Sequence, residues 1–151
     1  MTDLKKRLSS ILEGSATVED KLHKVCSLLD QEKAHYHWTG FYFRNGDREE
    51  LILGPYVGAP TDHTIIPFGR GICGQVAVSN ETFLVPDVSQ ASNYLSCSVE
   101  TKAELVVPII KEGVNIGQID IDSHYLDPFT EEDRALLEWL CSEVAKIMPS
   151  V

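Results

Sequence analysis

The sequence predicts an α+β domain, a central antiparallel sheet flanked by terminal helices. Three observations predict it. Amphipathic helical patterns occupy both ends of the chain, while the middle alternates with the period of a strand. Turn-forming residues join two pairs of strand-like runs, at Asn45-Gly46-Asp47 and at Glu112-Gly113, so each pair reads as a hairpin. The length, 151 residues, suits one domain with its own core. We therefore expect a single domain over 1–151, with N-terminal helices within 1–31 and a C-terminal helix over 130–148.

Each element has its own signal. Leu4, Leu8, Ile11 and Leu12 recur at helical spacing, and Gly14 stops that helix. Val18, Leu22, Val25, Cys26, Leu28 and Leu29 mark a second helix to about Gln31. Trp38 to Phe43 and Glu50 to Leu53 are the strands of the first hairpin. Gly54-Pro55 and Gly58-Ala59-Pro60 predict a loop. His63 to Ile66 is a short strand ended by Pro67, Ile72 to Val78 a short helix, and Thr82 to Val85 another short strand. Pro86 to Thr101 is polar and aperiodic, as expected of a functional loop. Glu104 to Lys111 and Val114 to Asp122 form the second hairpin. Thr130-Glu131-Glu132-Asp133 predicts a capping box that opens a helix with Leu136, Leu137, Leu140, Val144 and Ile147 on one face.

Composition narrows the function classes. Thirteen Lys and Arg against 23 Asp and Glu give a formal net charge of −10. Such a surface repels phosphate backbones and anionic lipid, so neither nucleic acid nor a membrane surface is an expected partner. With 43% hydrophobic and 24% charged residues the chain should be globular rather than disordered. No apolar run approaches the ~18 residues of a membrane helix. The charged start has no apolar stretch behind it, so no secretory signal is expected and the expected location is the cytoplasm. The four cysteines, Cys26, Cys73, Cys97 and Cys141, lack CxxC spacing and should be thiols there.

Several residues could carry chemistry. On a strand, Ile119 and Ile121 face one side and Asp120 and Asp122 the other. Glu104, on the neighbouring strand, could join the two aspartates. Clustered carboxylates repel, so one could keep a proton and act as a general acid while the others bind a cation. The pattern alone favours a plainer reading, a solvated sheet face. Trp38 and Tyr42 share a face opposite Phe41 and Phe43. They could pack under a helix, or hold a ligand with a thioether end and an ammonium end.

Gly69-Arg70-Gly71-Ile72-Cys73-Gly74 matches GxGxxG, but without alternating βα units a tight turn into a short helix explains it better. Cys73 then lies near a helix N-terminus, where the dipole would favour its thiolate; the alternative is a small buried residue. Cys97, in the polar loop, is the better candidate for a reactive thiol, whereas Cys26 and Cys141 look like core residues. His35-Tyr36-His37 could present two imidazoles on one strand face, without the further ligands of a metal set. His23 and His124 look solvated. No metal is expected, and no Ser-His-Asp order or phosphate loop stands out.

Trp38-Thr39-Gly40-Phe41-Tyr42, Leu53-Gly54-Pro55, Pro67 to Gly74, Pro86-Asp87-Val88, Cys97, Glu104 to Pro108 and Gly117 to Ser123 stand in one order along the chain. Together they resemble the GAF-domain free methionine-(R)-sulfoxide reductases. The resemblance implies a GAF-like fold, with terminal helices packed on one sheet face and a ligand pocket on the other. It places the catalytic cysteine at Cys97 and the substrate pocket at Trp38, Tyr42, Glu104, Asp120 and Asp122. The implied substrate is free L-methionine-(R)-sulfoxide. Cys97 would attack its sulfur, an acid of the carboxylate cluster would protonate the oxygen, and a cysteine sulfenic acid would remain. A second thiol would resolve it, and an external dithiol such as thioredoxin would reset the enzyme, with no bound cofactor. A homodimer is suggested by resemblance only.

The sequence departs from that family in two places. The usual resolving cysteine falls on His63, and Tyr94-Leu95-Ser96-Cys97-Ser98 lacks the family's His and Asp near the catalytic position. Either Cys73 resolves Cys97, or an external thiol does. The alternative is a small-ligand-binding or regulatory GAF domain that has lost or changed the activity.

Overall fold

The computed structural model describes residues 2–91 and 100–149, so Cys97 lies outside the described residues. The chain opens with α1 (Asp3–Glu13) and α2 (Val18–Glu32). It continues through β1 (Trp38–Arg44), β2 (Glu50–Val57), β3 (Ile65–Pro67), α3 (Gly71–Ser79) and β4 (Phe83–Val85). A 3₁₀ turn at Val88–Gln90 precedes β5 (Ala103–Lys111), β6 (Val114–Ser123) and α4 (Glu131–Ile147). Three helices start on the same device. The hydroxyls of Thr2, Thr17 and Thr130 accept the backbone N–H of Lys5, Asp20 and Asp133, satisfying donors the helix leaves unpaired. The expected capping box at Thr130 and Asp133 is complete.

The strands form one sheet in the order β3-β2-β1-β6-β5-β4, antiparallel throughout. Both predicted hairpins are present. In the second, Glu112 and Gly113 take φ of 53° and 80°, as a tight primed turn requires. Side-chain parity then decides the layers. Phe41, Leu105, Val107, Ile119 and Ile121 point to the back face and meet Leu8, Leu22, Val25, Leu29, Leu137, Leu140 and Val144 of α1, α2 and α4. Each fully buried aliphatic or aromatic side chain there contributes roughly 1.5–3 kcal/mol. Cys26 and Cys141 belong to this core, and burial pushes both thiols up, so they are packing groups. The front face carries Trp38, Tyr42 and Val106 under α3, with Leu51, Ile66, Ile72 and Val76. No helix among the described residues is long and apolar enough to cross a membrane.

Two boundaries differ from expectation. Gly54-Pro55 does not end the second strand, which runs on to Val57. The register jumps from Tyr42↔Leu53 to Gly40↔Tyr56, so Gly54 and Pro55 together face the single Phe41 in a bulge. A bulge leaves one residue out of the ladder and so tolerates a proline. β3 starts at Ile65 rather than His63, because the His63 N–H is taken by the Thr61 hydroxyl in a local turn.

Candidate active site

The front of the sheet holds a row of carboxylates. Glu104 of β5 stands directly opposite Asp122 of β6, which stands opposite Trp38 of β1. Asp120, two residues along β6, faces Gly40 on one side and Val106 on the other. Parity brings the three acids to one face, as alternation predicts. Their surroundings are not those of a solvated sheet face. Glu104, Asp120 and Asp122 are at most 3% exposed, and α3 packs on β5 and β6 at this face. Burial pushes the Asp120 carboxyl up, against the opposing pull of hydrogen bonds shared with Glu104, Cys73 and Asp122.

α3 brings Cys73 onto this row. Its Sγ donates to Asp120 Oδ2 at 3.3 Å and lies 3.7 Å from Glu104 Oε2. Proximity to the helix N-terminus does not produce a thiolate here. Burial, followed by the charges of Asp120 and Glu104, pushes the thiol well above its ordinary value. The glycines around it are the corner of a turn. Gly69 and Gly71 have φ of 87° and 64°, and a Cβ on Gly74 would sit 2.6 Å from the Pro67 carbonyl. The Gly69 N–H donates to the Gly74 carbonyl at 2.8 Å, closing the turn on itself.

The aromatics complete one wall. Trp38 and Tyr42 share the front face, their ring centroids 6.3 Å apart, and Tyr56 stacks on Trp38 at 5.3 Å. The Trp38 indole N–H donates to the Ala59 carbonyl at 3.0 Å, and the Tyr42 hydroxyl donates to the His63 carbonyl at 2.9 Å. Both rings are therefore tied to the β2–β3 connection. Gly40 is required between them, since a Cβ there would lie 2.5 Å from the Trp38 ring.

Two cavities flank the carboxylate row. One, of about 170 Å³, is lined by His37, Trp38, Ala59, Glu100, Thr101, Asp122 and His124. The other, of about 10 Å³, lies against His63, Ile66, Arg70, Ile72, Cys73, Glu104 and Asp120. A more open concavity, of about 540 Å³, is elsewhere, between α4 and the outer edge of β5. We assign no chemistry to it. It is open, Thr82 and Arg134 both bond Glu138 on its wall, and Cys141 at its floor is buried with its thiol turned to the Val107 carbonyl.

The histidines separate, contrary to the expectation of one strand face. His35 and His37 precede β1. His35 Nε2 lies 3.1 Å from Asp133 Oδ1 at the head of α4, where the Tyr36 hydroxyl also donates at 2.7 Å. His37 instead stacks on His124 at 4.1 Å, and its Nδ1 accepts the His124 N–H. His124 is thus partly covered rather than simply solvated, whereas His23 is exposed as expected. Burial, and then the neighbouring His124 and His35, lower the pKa of His37. Sequence reading missed Gln118, Thr101 and the His37–His124 pair. Gln118 is fully buried and shares the front face of β6 with Asp120 and Asp122, so the same alternation could have flagged it.

The fold and the site have counterparts of known kind. The GAF domain model matches residues 18–148. The chain is 36% identical over 148 residues to the free methionine-R-sulfoxide reductase of Saccharomyces cerevisiae, covering 90% of this chain and 82% of that one. It superposes with a TM-score of 0.90 on the free methionine-R-sulfoxide reductase of Neisseria meningitidis in complex with its substrate, at 31% identity, over 95% of this chain and 85% of that one. The type II enzyme of that name from Thermoplasma acidophilum superposes with a TM-score of 0.82 at 32% identity, over 95% and 94% of the two chains. Identity of this extent over nearly the whole length means that the chain belongs to the GAF-domain family of free methionine-(R)-sulfoxide reductases.

Proposed function

We propose that this protein reduces free L-methionine-(R)-sulfoxide to methionine, with Cys97 as the nucleophile. The observation that carries the reading is the buried row of Glu104, Asp120 and Asp122 beside the Trp38–Tyr42 wall. A buried anionic row suits an ammonium group, and aromatic faces suit the methyl and sulfur end of the same small molecule. The cavity beside Trp38 and Asp122, about 170 Å³, falls below the roughly 300–1,000 Å³ of pockets for drug-sized ligands and suits an amino acid. A peptide-bound residue lacks the charged amine and would bring no positive charge to the buried acids, so the row favours the free amino acid.

The chemistry follows in three steps. The Cys97 sulfur attacks the sulfoxide sulfur, and a carboxyl of the row protonates the departing oxygen. Methionine leaves and the oxygen ends on Cys97 as a sulfenic acid. The Cys73 thiol, passing its proton to Asp120 Oδ2, attacks Cys97; water departs and a disulfide remains. An external dithiol such as thioredoxin then reduces the disulfide. In this reading Cys73 replaces the resolving cysteine that the sequence lacks at His63.

The test is a thioredoxin-coupled NADPH assay on free L-methionine-(R)-sulfoxide, with the (S) epimer and a peptide-bound form as controls. Turnover on the free (R) form alone, lost in Cys97→Ser, is the expected result. Mass mapping after one turnover should find a Cys73–Cys97 disulfide. Full activity in Cys97→Ser would remove the assignment, and oxidation without preference for Cys97 would favour a ligand-binding GAF domain.

A further inference from the structure

The atoms around Cys73 also have the geometry of a metal site. Ligand atoms of Cys73, Glu104 and Asp120, supplied by α3, β5 and β6, all lie within 4.8 Å of one another. A tetrahedral zinc ion has Zn–S of about 2.3 Å and Zn–O of about 2.0 Å, which sets its S···O edge near 3.5 Å. The distances from Cys73 Sγ to Asp120 Oδ2 and Glu104 Oε2, 3.3 and 3.7 Å, bracket that edge. The cavity against these three side chains, about 10 Å³, is close to one water-sized sphere. It suits a single ion and is far too small for an amino acid. Asp120 is fully buried, yet its Oδ1 has no hydrogen-bond partner, so its carboxylate keeps an acceptor to offer. Buried acids without a compensating cation are costly.

We infer that Cys73, Glu104 and Asp120 bind one thiophilic divalent cation of the zinc class, and that the bound ion excludes the substrate. Sulfur selects the metal, because Mg²⁺ and Ca²⁺ take oxygen ligands, whereas Zn²⁺ accepts thiolate and carboxylate together. Coordination takes the thiol proton, which passes to solvent. The binding claim stands on this geometry alone. Its consequence rests on the function proposed above: Glu104 and Asp120 cannot serve an ammonium group while they hold zinc, and a zinc-bound Cys73 cannot resolve Cys97. Sequence reading allowed the carboxylates a cation but did not join Cys73 to them, since Cys73 lies 31 and 47 positions from its two partners.

The experiment uses full-length Cys97→Ser protein, in which the redox cycle is disabled and binding can still be read. Zn²⁺ calorimetry should show one equivalent bound, and Co²⁺ should give a thiolate-to-cobalt charge-transfer band. Adding Cys73→Ser should abolish the band. Cys73→Ser or Asp120→Asn should each weaken Zn²⁺ binding by about tenfold or more. Cys26→Ser and Cys141→Ser should leave binding unchanged. Circular dichroism checks that each variant is folded, and Asp120→Asn serves if Cys73→Ser is not. A band that survives Cys73→Ser, or no saturable Zn²⁺ binding, overturns the site. Free methionine sulfoxide should raise the apparent Kd for Zn²⁺; an unchanged Kd overturns the exclusion. Failure of the reductase reading appears instead in the wild-type turnover assay and leaves the titration readable.

Discussion

Replacing Asp120 by Asn separates the stability of the fold from the chemistry of its site. Asp120 is fully buried, its Oδ1 lacks a partner, and it lies on the same face as Glu104 and Asp122. Asn keeps the shape, removes a charge and offers two N–H donors to acidic neighbours. A buried polar group left unsatisfied costs about 1–3 kcal/mol, so the variant should be more stable by about that amount at about pH 8. At roughly 2–4 °C per kcal/mol for a domain of this size, the Tm should rise by about 2–12 °C. The pH dependence has a definite sign. Burial raises the folded-state pKa of Asp120, so the folded protein holds this proton more tightly than the unfolded chain. The wild type is unpenalised below the unfolded value and loses stability as pH rises toward the folded one. The advantage of Asn should therefore be full near neutrality and shrink in acid. With Asp120 holding the substrate ammonium as proposed, the variant would also lose a charge-assisted hydrogen bond of about 1.5–3 kcal/mol, which should raise KM by about ten- to a hundredfold. Urea unfolding at about pH 4 and about pH 8, with the coupled assay, tests both halves. A variant less stable than wild type at the higher pH, or equally stabilised at both, would refute the reasoning.

Three further outcomes are expected. Asp133→Ala removes the acceptor of the Tyr36 hydroxyl and the Thr130 capping box, and should cost about 2–4 kcal/mol in urea unfolding. Burial would raise the Asp133 pKa, but hydrogen bonds from Thr130 and Tyr36, and then His35, outweigh it and hold the carboxyl below the ordinary range. Its stabilisation is present above the unfolded value and lost as pH falls through the folded one, so acid should narrow the gap between wild type and variant. Gly40→Ala forces the Trp38 ring off its seat, 2.5 Å from the new Cβ, and should cost about 1–3 kcal/mol with a changed tryptophan fluorescence. Cys73→Ser should allow one turnover but slow thioredoxin-coupled cycling, and unchanged multiple turnover would show that another thiol resolves Cys97.

What the sequence disclosed follows from what a period can encode. Alternation assigns faces, so Phe41 and Ile121 are legible as core, and Trp38, Tyr42, Asp120 and Asp122 as a separate set. Alternation does not say what covers a face, and on pattern alone the acids read as solvated. A signal for the cover was present. Gly71 to Ala77 is apolar almost all round, and a helix of that kind belongs in the interior. The bulge at Gly54-Pro55 was hidden because a proline reads as a break unless the partner strand is known. The two imidazoles of His35-Tyr36-His37 were misplaced for a similar reason. Asp133, at the other end of the chain, draws His35 and Tyr36 away from the strand.

One sheet therefore serves two opposed demands. Its back face is apolar, and the helices α1, α2 and α4 bury it at a large gain. Its front face buries acids beside a thiol, an arrangement that costs stability wherever a cation is missing. On the two proposals above, that cost selects the ligand: a neutral molecule would leave it in place, whereas an ammonium group entering beside Trp38, or a zinc-class ion entering beside Cys73, would relieve it. On these proposals both cations draw on one carboxylate row but enter through different cavities, one of about 170 Å³ beside Trp38 and Asp122 and one of about 10 Å³ beside Cys73, Glu104 and Asp120. With an amino acid in the first and an ion in the second, as proposed, occupation by one is expected to exclude the other.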